Sequence, residues 1–377
     1  MGQEAQMNKR LVVKVGSSTV TNSDSSIDLS YIDDLARQLA YLSKEGWKIV
    51  LVTSGSIACG LGALGFDKRP SDMPTLQAAA SVGQSELMGA YTDAFASHDI
   101  IASQVLLTRR DTADRQAYLH ARDTLDRLLE LGVIPVVNEN DTVSVEQIRF
   151  GDNDSLAALV ACLIDASLLI LASDIEGLYD SNPRTNKNAH LLKNVDKITP
   201  EIMLASEGAG SVAGSGGMIT KIMAARVMMA AGITMAIVNG KAPDAIIDTA
   251  LDKCPGTIFK VGKKAHEINP KKLWIALADS ARGSVTVDAG ARKALISSGK
   301  SLLCVGISDM EGKFDEKDIV DVKDEDGFVI ARGIVSAPSD VIVLGMGMTS
   351  DELSRNKILA SLSETPVIHR DELVLFE

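Results

Sequence analysis

The sequence predicts an α/β protein: a three-layer αβα sandwich around a mainly parallel sheet, followed by a second, smaller, mostly β domain. Three observations carry this reading. At 377 residues the chain exceeds what one hydrophobic core usually serves, so two domains are expected. From residue 10 to about 260, short strands that are apolar throughout alternate with helices, which is the pattern of a parallel sheet covered on both faces. After about residue 280, short strands follow one another with few helices between them.

The elements follow in order. Leu11-Val12-Val13-Lys14-Val15 is the first strand, and Gly16-Ser17-Ser18 is the turn after it. Ile32, Leu35, Leu39 and Leu42 recur at three- and four-residue spacing, one apolar helix face, with Ser30 as the expected N-cap and Gly46 as the stop. Lys48 to Thr53 is the next strand and ends in Ser54-Gly55. Helices near 75–97 and 115–131 precede the strand Val133 to Val137. A helix near 153–164 leads to the strand Leu168 to Ala172, and a helix near 218–231, closed by Gly232, leads to Ile233 to Val238. Further strands are expected at Ser284–Val287, Leu302–Ile307, Ile319–Val322, Phe328–Ile330 and Val341–Leu344. Asp326-Gly327 signals a hairpin, and helices are expected near 290–298 and 350–361. The expected organisation is a larger α/β domain at 8–265, a linker at 266–282 and the β domain at 283–377.

Composition narrows the function. With 46% hydrophobic and 23% charged residues the chain is globular, not disordered. A formal net charge of -12 argues against broad nucleic-acid or anionic-membrane binding. An anionic ligand would therefore need a local concentration of Lys, Arg and backbone N–H groups. Cys59, Cys162, Cys254 and Cys304 are far apart and read as buried, inert thiols, and the five histidines show no metal spacing, so no protein-held zinc is expected. No leader-like segment opens the sequence and no apolar run reaches the roughly 20 residues of a membrane span. A cytoplasmic location is expected.

In parallel sheets ligands bind beyond the carboxyl ends of the strands. Lys14 to Ser18, Ser54-Gly55, Asn138 to Asp141 and Ser173-Asp174 are thus the site candidates. A lysine ending a buried strand needs an anionic partner, either a ligand or a structural carboxylate. Five glycines between Gly208 and Gly217 run into a helix carrying Lys221 and Arg226, which suits either a phosphate cradle or a flexible surface loop. Asn138-Glu139-Asn140-Asp141 and Gly151-Asp152-Asn153-Asp154 suit a substrate ammonium or the holding of lysines, and equally turn and N-cap chemistry. Two patterns are set aside. Gly60-Leu61-Gly62-Ala63-Leu64-Gly65 spells a dinucleotide fingerprint but does not directly follow its strand. Gly299-Lys300-Ser301 echoes a P-loop, but Ala294 replaces the first glycine.

Taken in order, Val13 to Ser18, Val52 to Ile57, Leu106 to Arg109, Asn138 to Asp141, Gly151 to Asp154 and Gly216 to Lys221 resemble the motif series of the glutamate 5-kinase family, in the amino acid kinase superfamily. The resemblance covers nearly the whole chain and includes a C-terminal segment similar to a PUA domain. It implies the amino acid kinase fold and ATP-dependent phosphorylation of the γ-carboxylate of L-glutamate to L-glutamyl 5-phosphate, the first step of proline biosynthesis. Lys14 and Lys221 would stabilise the transferring γ-phosphoryl group, with Asp154 organising both. Ser54, Asp141 and Asn153 would bind glutamate, with Asn138 beside them. Lys14, Ser173 and Asp174, with Ser215, Gly216, Gly217, Met218, Ile219, Thr220 and Lys221, would contact ATP. Mg²⁺ would arrive on ATP, with no protein carboxylate assigned as its direct ligand. The resemblance further implies feedback inhibition by proline, a homo-oligomer (dimer or tetramer) and glutamyl phosphate reductase as the downstream enzyme. N-acetylglutamate, aspartate or carbamate as acceptor stays open.

The chemistry agrees with a carboxylate acceptor. Its pKa near ~4.3 leaves it ionised at neutral pH, so no general base is needed, and no histidine stands near any motif. PUA domains elsewhere bind RNA. Residues 283–377, however, hold ten Lys or Arg against seventeen Asp or Glu, and their aromatics are Phe314, Phe328 and Phe376. With neither a cationic footprint nor a stacking platform, RNA binding is not expected, and nor is a membrane partner.

Overall fold

The structure, a computed structural model, describes residues 9–22, 24–66, 68–108, 115–144, 153–183, 185–207, 217–261, 272, 275–276 and 281–376. The chain divides into two compact units, Met1–Ala265 and His266–Glu377. In the first, eight strands form one sheet: β1 (Arg10–Val15), β2 (Lys48–Val52), β3 (Ala102–Leu107), β4 (Ile134–Glu139), β5 (Leu168–Ser173), β6 (Asn194–Val195), β7 (Thr234–Asn239) and β8 (Thr257–Phe259). Their order is β3-β4-β2-β1-β5-β7-β8-β6. Every neighbouring pair is parallel except β7 and β8.

Alternation along β1 decides where its lysine points. Leu11, Val13 and Val15 join the core that includes Leu35 and Leu39 of the Leu29–Lys44 helix and Leu87 and Tyr91 of the Met73–Ala96 helix. Val12 and Lys14 therefore face the opposite side of the sheet, where the Asp154–Leu163 and Met218–Ala231 helices pack. In register Lys14 lies between Val52 of β2 and Leu171 of β5. Central strands buried on both faces must be apolar nearly throughout, which is why they were readable. β3 was not among the expected strands. It lies at the sheet edge, where Ser103 and Gln104 can interrupt the apolar run without breaking the core.

The Leu29–Lys44 helix is capped by Asp28, whose carboxylate accepts from Tyr31 N at 3.1 Å, not by Ser30. Ser30 sits in the first turn and donates to the same oxygen at 2.7 Å. Gly55 makes the turn from β2 into the Ser56–Ala63 helix at φ 103°, a left-handed conformation costly for other residues, and a Cβ there would meet Val20 Cγ2 at 2.9 Å. The rejected dinucleotide pattern has a packing role. A Cβ on Gly60 would lie 1.8 Å from the Ala79 carbonyl oxygen, and one on Gly83 would lie 2.0 Å from that of Ser56. The Ser56–Ala63 and Met73–Ala96 helices thus touch backbone to backbone, which brings the second helix against the strand ends.

The second unit is a five-stranded sheet, β9 (Gly283–Val287), β10 (Ile307–Gly312), β11 (Ile319–Lys323), β12 (Val329–Ile334) and β13 (Leu373–Leu375), ordered β10-β9-β11-β12-β13. The Asp326-Gly327 hairpin joins β11 and β12 as expected. Two expected strands are corrected. Leu302 makes only an isolated bridge to Ile368, and Cys304–Gly306 is a 3-10 turn before β10 begins. There the buried Leu302 and Cys304 alternate with exposed Leu303 and Val305, which mimics strand periodicity. Val341–Leu344 belongs to the helix Ser339–Gly345, where Ile342 is fully buried while Leu344 is 60% exposed. A four-residue apolar run cannot by itself separate strand from helix.

Candidate active site

Because β1, β2, β4 and β5 are parallel neighbours, their carboxyl ends bring Lys14, Thr53-Ser54, Asn138-Glu139 and Ser173-Asp174 to one edge of the sheet. β1 is the strand at which the order runs both ways, to β2 on one side and β5 on the other, where doubly wound sheets open a crevice. Lys14 stands at that crevice.

Three charged side chains meet there. Lys14 Nζ lies 2.6 Å from Asp154 Oδ1, and Lys221 Nζ lies 3.0 Å from Asp154 Oδ2. All three are buried, Asp154 completely. Thr220 Oγ1 sits 3.1 Å from Asp154 Oδ2 and 2.8 Å from the Gly217 carbonyl oxygen, tying the start of the Met218–Ala231 helix to the carboxylate. Burial alone would push the Asp154 carboxyl up. The Lys14 and Lys221 ammoniums outweigh that and hold it well below the usual carboxylate range. Two ammoniums on one carboxylate leave the triad with one net positive charge. Desolvation makes such a cluster costly unless further anionic charge arrives, and an entering phosphoryl group would supply it.

On the β2–β4 side the polar groups form a directional chain. The backbone N–H of Glu139 donates to Asn138 Oδ1 at 2.9 Å, which fixes which end of that amide is oxygen. Asn153 Nδ2 donates to the same oxygen at 2.8 Å and to the Thr53 carbonyl at 2.5 Å, using both of its hydrogens. Asn153 Oδ1 has no partner among the described residues, and it can only accept. Asn138 Nδ2 in turn donates to Gln84 Oε1 at 2.8 Å. Tyr91 Oη and Thr53 Oγ1 share a buried hydrogen bond of 2.8 Å beneath Ser54. Asp141 accepts from Ser56 Oγ at 3.1 Å. Burial pushes its carboxyl up to about 6, against the opposing pull of the Ser56 bond and of Arg69.

On the β5 side lies an open cleft lined by Ser173, Asp174, Gly177, Tyr179, Gly217, Met218 and Lys221 among others. Of the residues expected on the nucleotide, Ser173, Asp174, Gly217, Met218 and Lys221 line this cleft, Thr220 reaches Asp154, and Ile219 lies between them on the helix. Ser215 and Gly216 lie outside the described residues, as do Arg109, Gly151 and Asp152 of the quoted motifs. Among the described residues no three His, Cys, Asp or Glu side chains gather to hold a metal. Gln84 and Tyr91 were not expected at the site. Their one sequence signal is position, since both fall on the helix face of buried Leu87, where polar atoms need a partner.

Residues 9–239 match the amino acid kinase family, and residues 283–356 match the PUA domain. The chain is 44% identical over 367 residues to the glutamate 5-kinase of Geobacter sp. (strain M21), covering 97% of each. It is 43% identical over 368 residues to that of Caldanaerobacter subterraneus subsp. tengcongensis, covering 98% of each. It is likewise 43% identical over 366 residues to that of Bordetella petrii, covering 97% of this chain and 96% of the relative. The chain belongs to the amino acid kinase family, in its glutamate 5-kinase branch. It is therefore an ATP-using phosphotransferase with a C-terminal PUA domain. Among the described residues no helix is long and apolar enough to cross a membrane.

Proposed function

We propose that this chain transfers the γ-phosphoryl group of ATP to the side-chain carboxylate of L-glutamate, forming L-glutamyl 5-phosphate and ADP in the first step of proline biosynthesis. The observation that carries this reading is the Lys14–Asp154–Lys221 triad, whose Lys221 also lines the cleft on the β5 side while the hydrogen-bond acceptors of the β2–β4 side lie on the other. Donor and acceptor are both anions, so the chemical problem is repulsion and alignment. Two ammoniums fixed by one carboxylate answer it without proton transfer. Mg²⁺ bound to the ATP phosphates would neutralise further charge. Its ligands would come largely from the nucleotide and water.

Asn153 Oδ1 and the Asp141 carboxylate favour an acceptor with a free ammonium, because both accept hydrogen bonds and one can carry charge. This disfavours N-acetylglutamate, whose nitrogen is neutral, and carbamate, which has no such group. A hydroxylamine trap with ATP, Mg²⁺ and a panel of glutamate, N-acetylglutamate, aspartate and carbamate tests the reading. Hydroxamate from glutamate is expected, and hydroxamate only from another acceptor would overturn it.

Asp141 sets an acid limit. With its carboxyl near 6, the group takes up a proton as pH falls through that value and loses its charge for the substrate ammonium. The KM for glutamate is expected to rise below pH 6 and to be flat above about 7, with the KM for ATP much less affected, measured at constant ionic strength. For folding the sign is reversed. The native carboxyl holds its proton more tightly than an unfolded one near ~3.9, so this group's contribution to stability falls as pH rises between about 4 and 6. Feedback inhibition by proline, assembly as a dimer or tetramer, a cytoplasmic location and a glutamyl phosphate reductase that consumes the labile acyl phosphate belong to the same reading.

A further inference from the structure

We propose that Gln84 is a positioning residue for the acceptor, acting through Asn138 on Asn153; this rests on the glutamate reading above. Amide side chains can turn end for end, and the wrong end of Asn153 would offer the substrate ammonium a donor in place of an acceptor. Two backbone groups restrain the chain. Glu139 N–H demands an oxygen from Asn138 at 2.9 Å, and the Thr53 carbonyl demands a nitrogen from Asn153 at 2.5 Å. With Asn138 Oδ1 so placed, its Nδ2 must find an acceptor, and Gln84 Oε1 supplies it at 2.8 Å. Gln84 is held in turn by donating its Nε2 to Gln104 Oε1 at 3.1 Å. Asn138 and Asn153 are buried, so neither amide can exchange a lost partner for bulk water without cost. Gln84 is half-buried and comes from the Met73–Ala96 helix, which the Gly60–Gly83 contact seats against the site. It therefore reaches the acceptor pocket from an element that carries none of the quoted motifs.

Removing the Gln84 oxygen should loosen Asn138 and let Asn153 sample the wrong orientation. Gln84→Met keeps length and helix propensity but removes the acceptor, whereas Gln84→Glu keeps an oxygen toward Asn138. In purified full-length protein, Q84M is expected to raise the KM for glutamate about fivefold to tenfold. The KM for ATP should stay within about twofold, and Tm should fall by no more than a few degrees, the cost of one unpaired amide donor. Discrimination between glutamate and glutarate, which has both carboxylates but no amine, should shrink by a similar factor. Q84E should restore most of the glutamate KM. Equal changes in both KM values, a loss of Tm shared by Q84M and Q84E, or unchanged discrimination against glutarate would overturn the assignment. The wild-type arm separates the two claims. No trapped product from glutamate in wild type would sink the glutamate reading and this assignment with it, while normal wild-type turnover beside an unaltered Q84M would sink the assignment alone.

Discussion

Replacing Lys221 with alanine is expected to lower kcat by about 10²–10³-fold, or roughly 3–4 kcal/mol of transition-state stabilisation, by analogy with losing one oxyanion donor. The reasoning starts from its position. Lys221 lines the cleft on the β5 side and also contacts Asp154 at 3.0 Å, so under the proposed reading its charge lies where nucleotide and acceptor would meet. In the transition state, negative charge spreads over the equatorial oxygens of the moving phosphoryl group, and a fixed ammonium there needs no reorganisation. The fold should tolerate the change. Asp154 keeps Lys14 at 2.6 Å, and the site changes from a net positive charge to a neutral pair. Steady-state kinetics with both substrates saturating, together with a thermal melt, checks this. Near-normal turnover would remove Lys221 from the chemistry.

Asp154→Asn should damage both stability and activity. The side chain is fully buried between two ammoniums, and its two oxygens are divided between them. An asparagine of the same shape removes the charge and aims a donor nitrogen at one of the lysines. Losing one partner of a buried charge cluster costs about 3–5 kcal/mol, because the charges left behind have been taken out of water. At roughly 2–4 °C per kcal/mol for a unit of this size, Tm should fall by about 10 °C. Turnover should fall at least as far as for K221A, since both lysines lose their common anchor. The pH dependence provides a second check. The native Asp154 carboxyl is held below its unfolded value, so its contribution to stability is present above about pH 4 and is lost as the solution becomes more acid. Asp154→Asn should lack that part of the acid-induced loss.

Much of this architecture was legible because parallel strands must be apolar and their ends must carry the polar groups. β1, β2, β4, β5 and β7 were all readable on that ground, and so were Lys14, Ser54, Asn138 and Ser173 as residues at strand ends. Edge strands and short apolar runs escaped, as β3, Leu302–Ile307 and Val341–Leu344 show, since one-sided burial allows several periodicities. The triad was only half legible from residue types and spacing, and it was the family resemblance that joined Asp154 to both lysines. A buried lysine calls for an anion, but nothing in the spacing of 14, 154 and 221 brings them together; sheet order and the alternation along β1 do. The support beneath the acceptor pocket was least legible. Gln84 and Tyr91 sit on a helix whose contact with the site depends on Gly60 meeting Gly83, and no local pattern announces a backbone-to-backbone contact.

Glutamate labelled with ¹⁸O in its side-chain carboxylate gives the most direct test of phosphoryl transfer to that group. With ATP, Mg²⁺ and hydroxylamine, attack of the carboxylate on phosphorus places one labelled oxygen in the bridge of the acyl phosphate. Hydroxylamine then attacks the carbonyl carbon and expels phosphate carrying that oxygen. Mass spectrometry should find one ¹⁸O in each phosphate released with hydroxamate. Unlabelled phosphate formed at the same rate with or without glutamate would mean that water is the acceptor, and it would contradict the assignment of the pocket beside Lys14 as a carboxylate acceptor site.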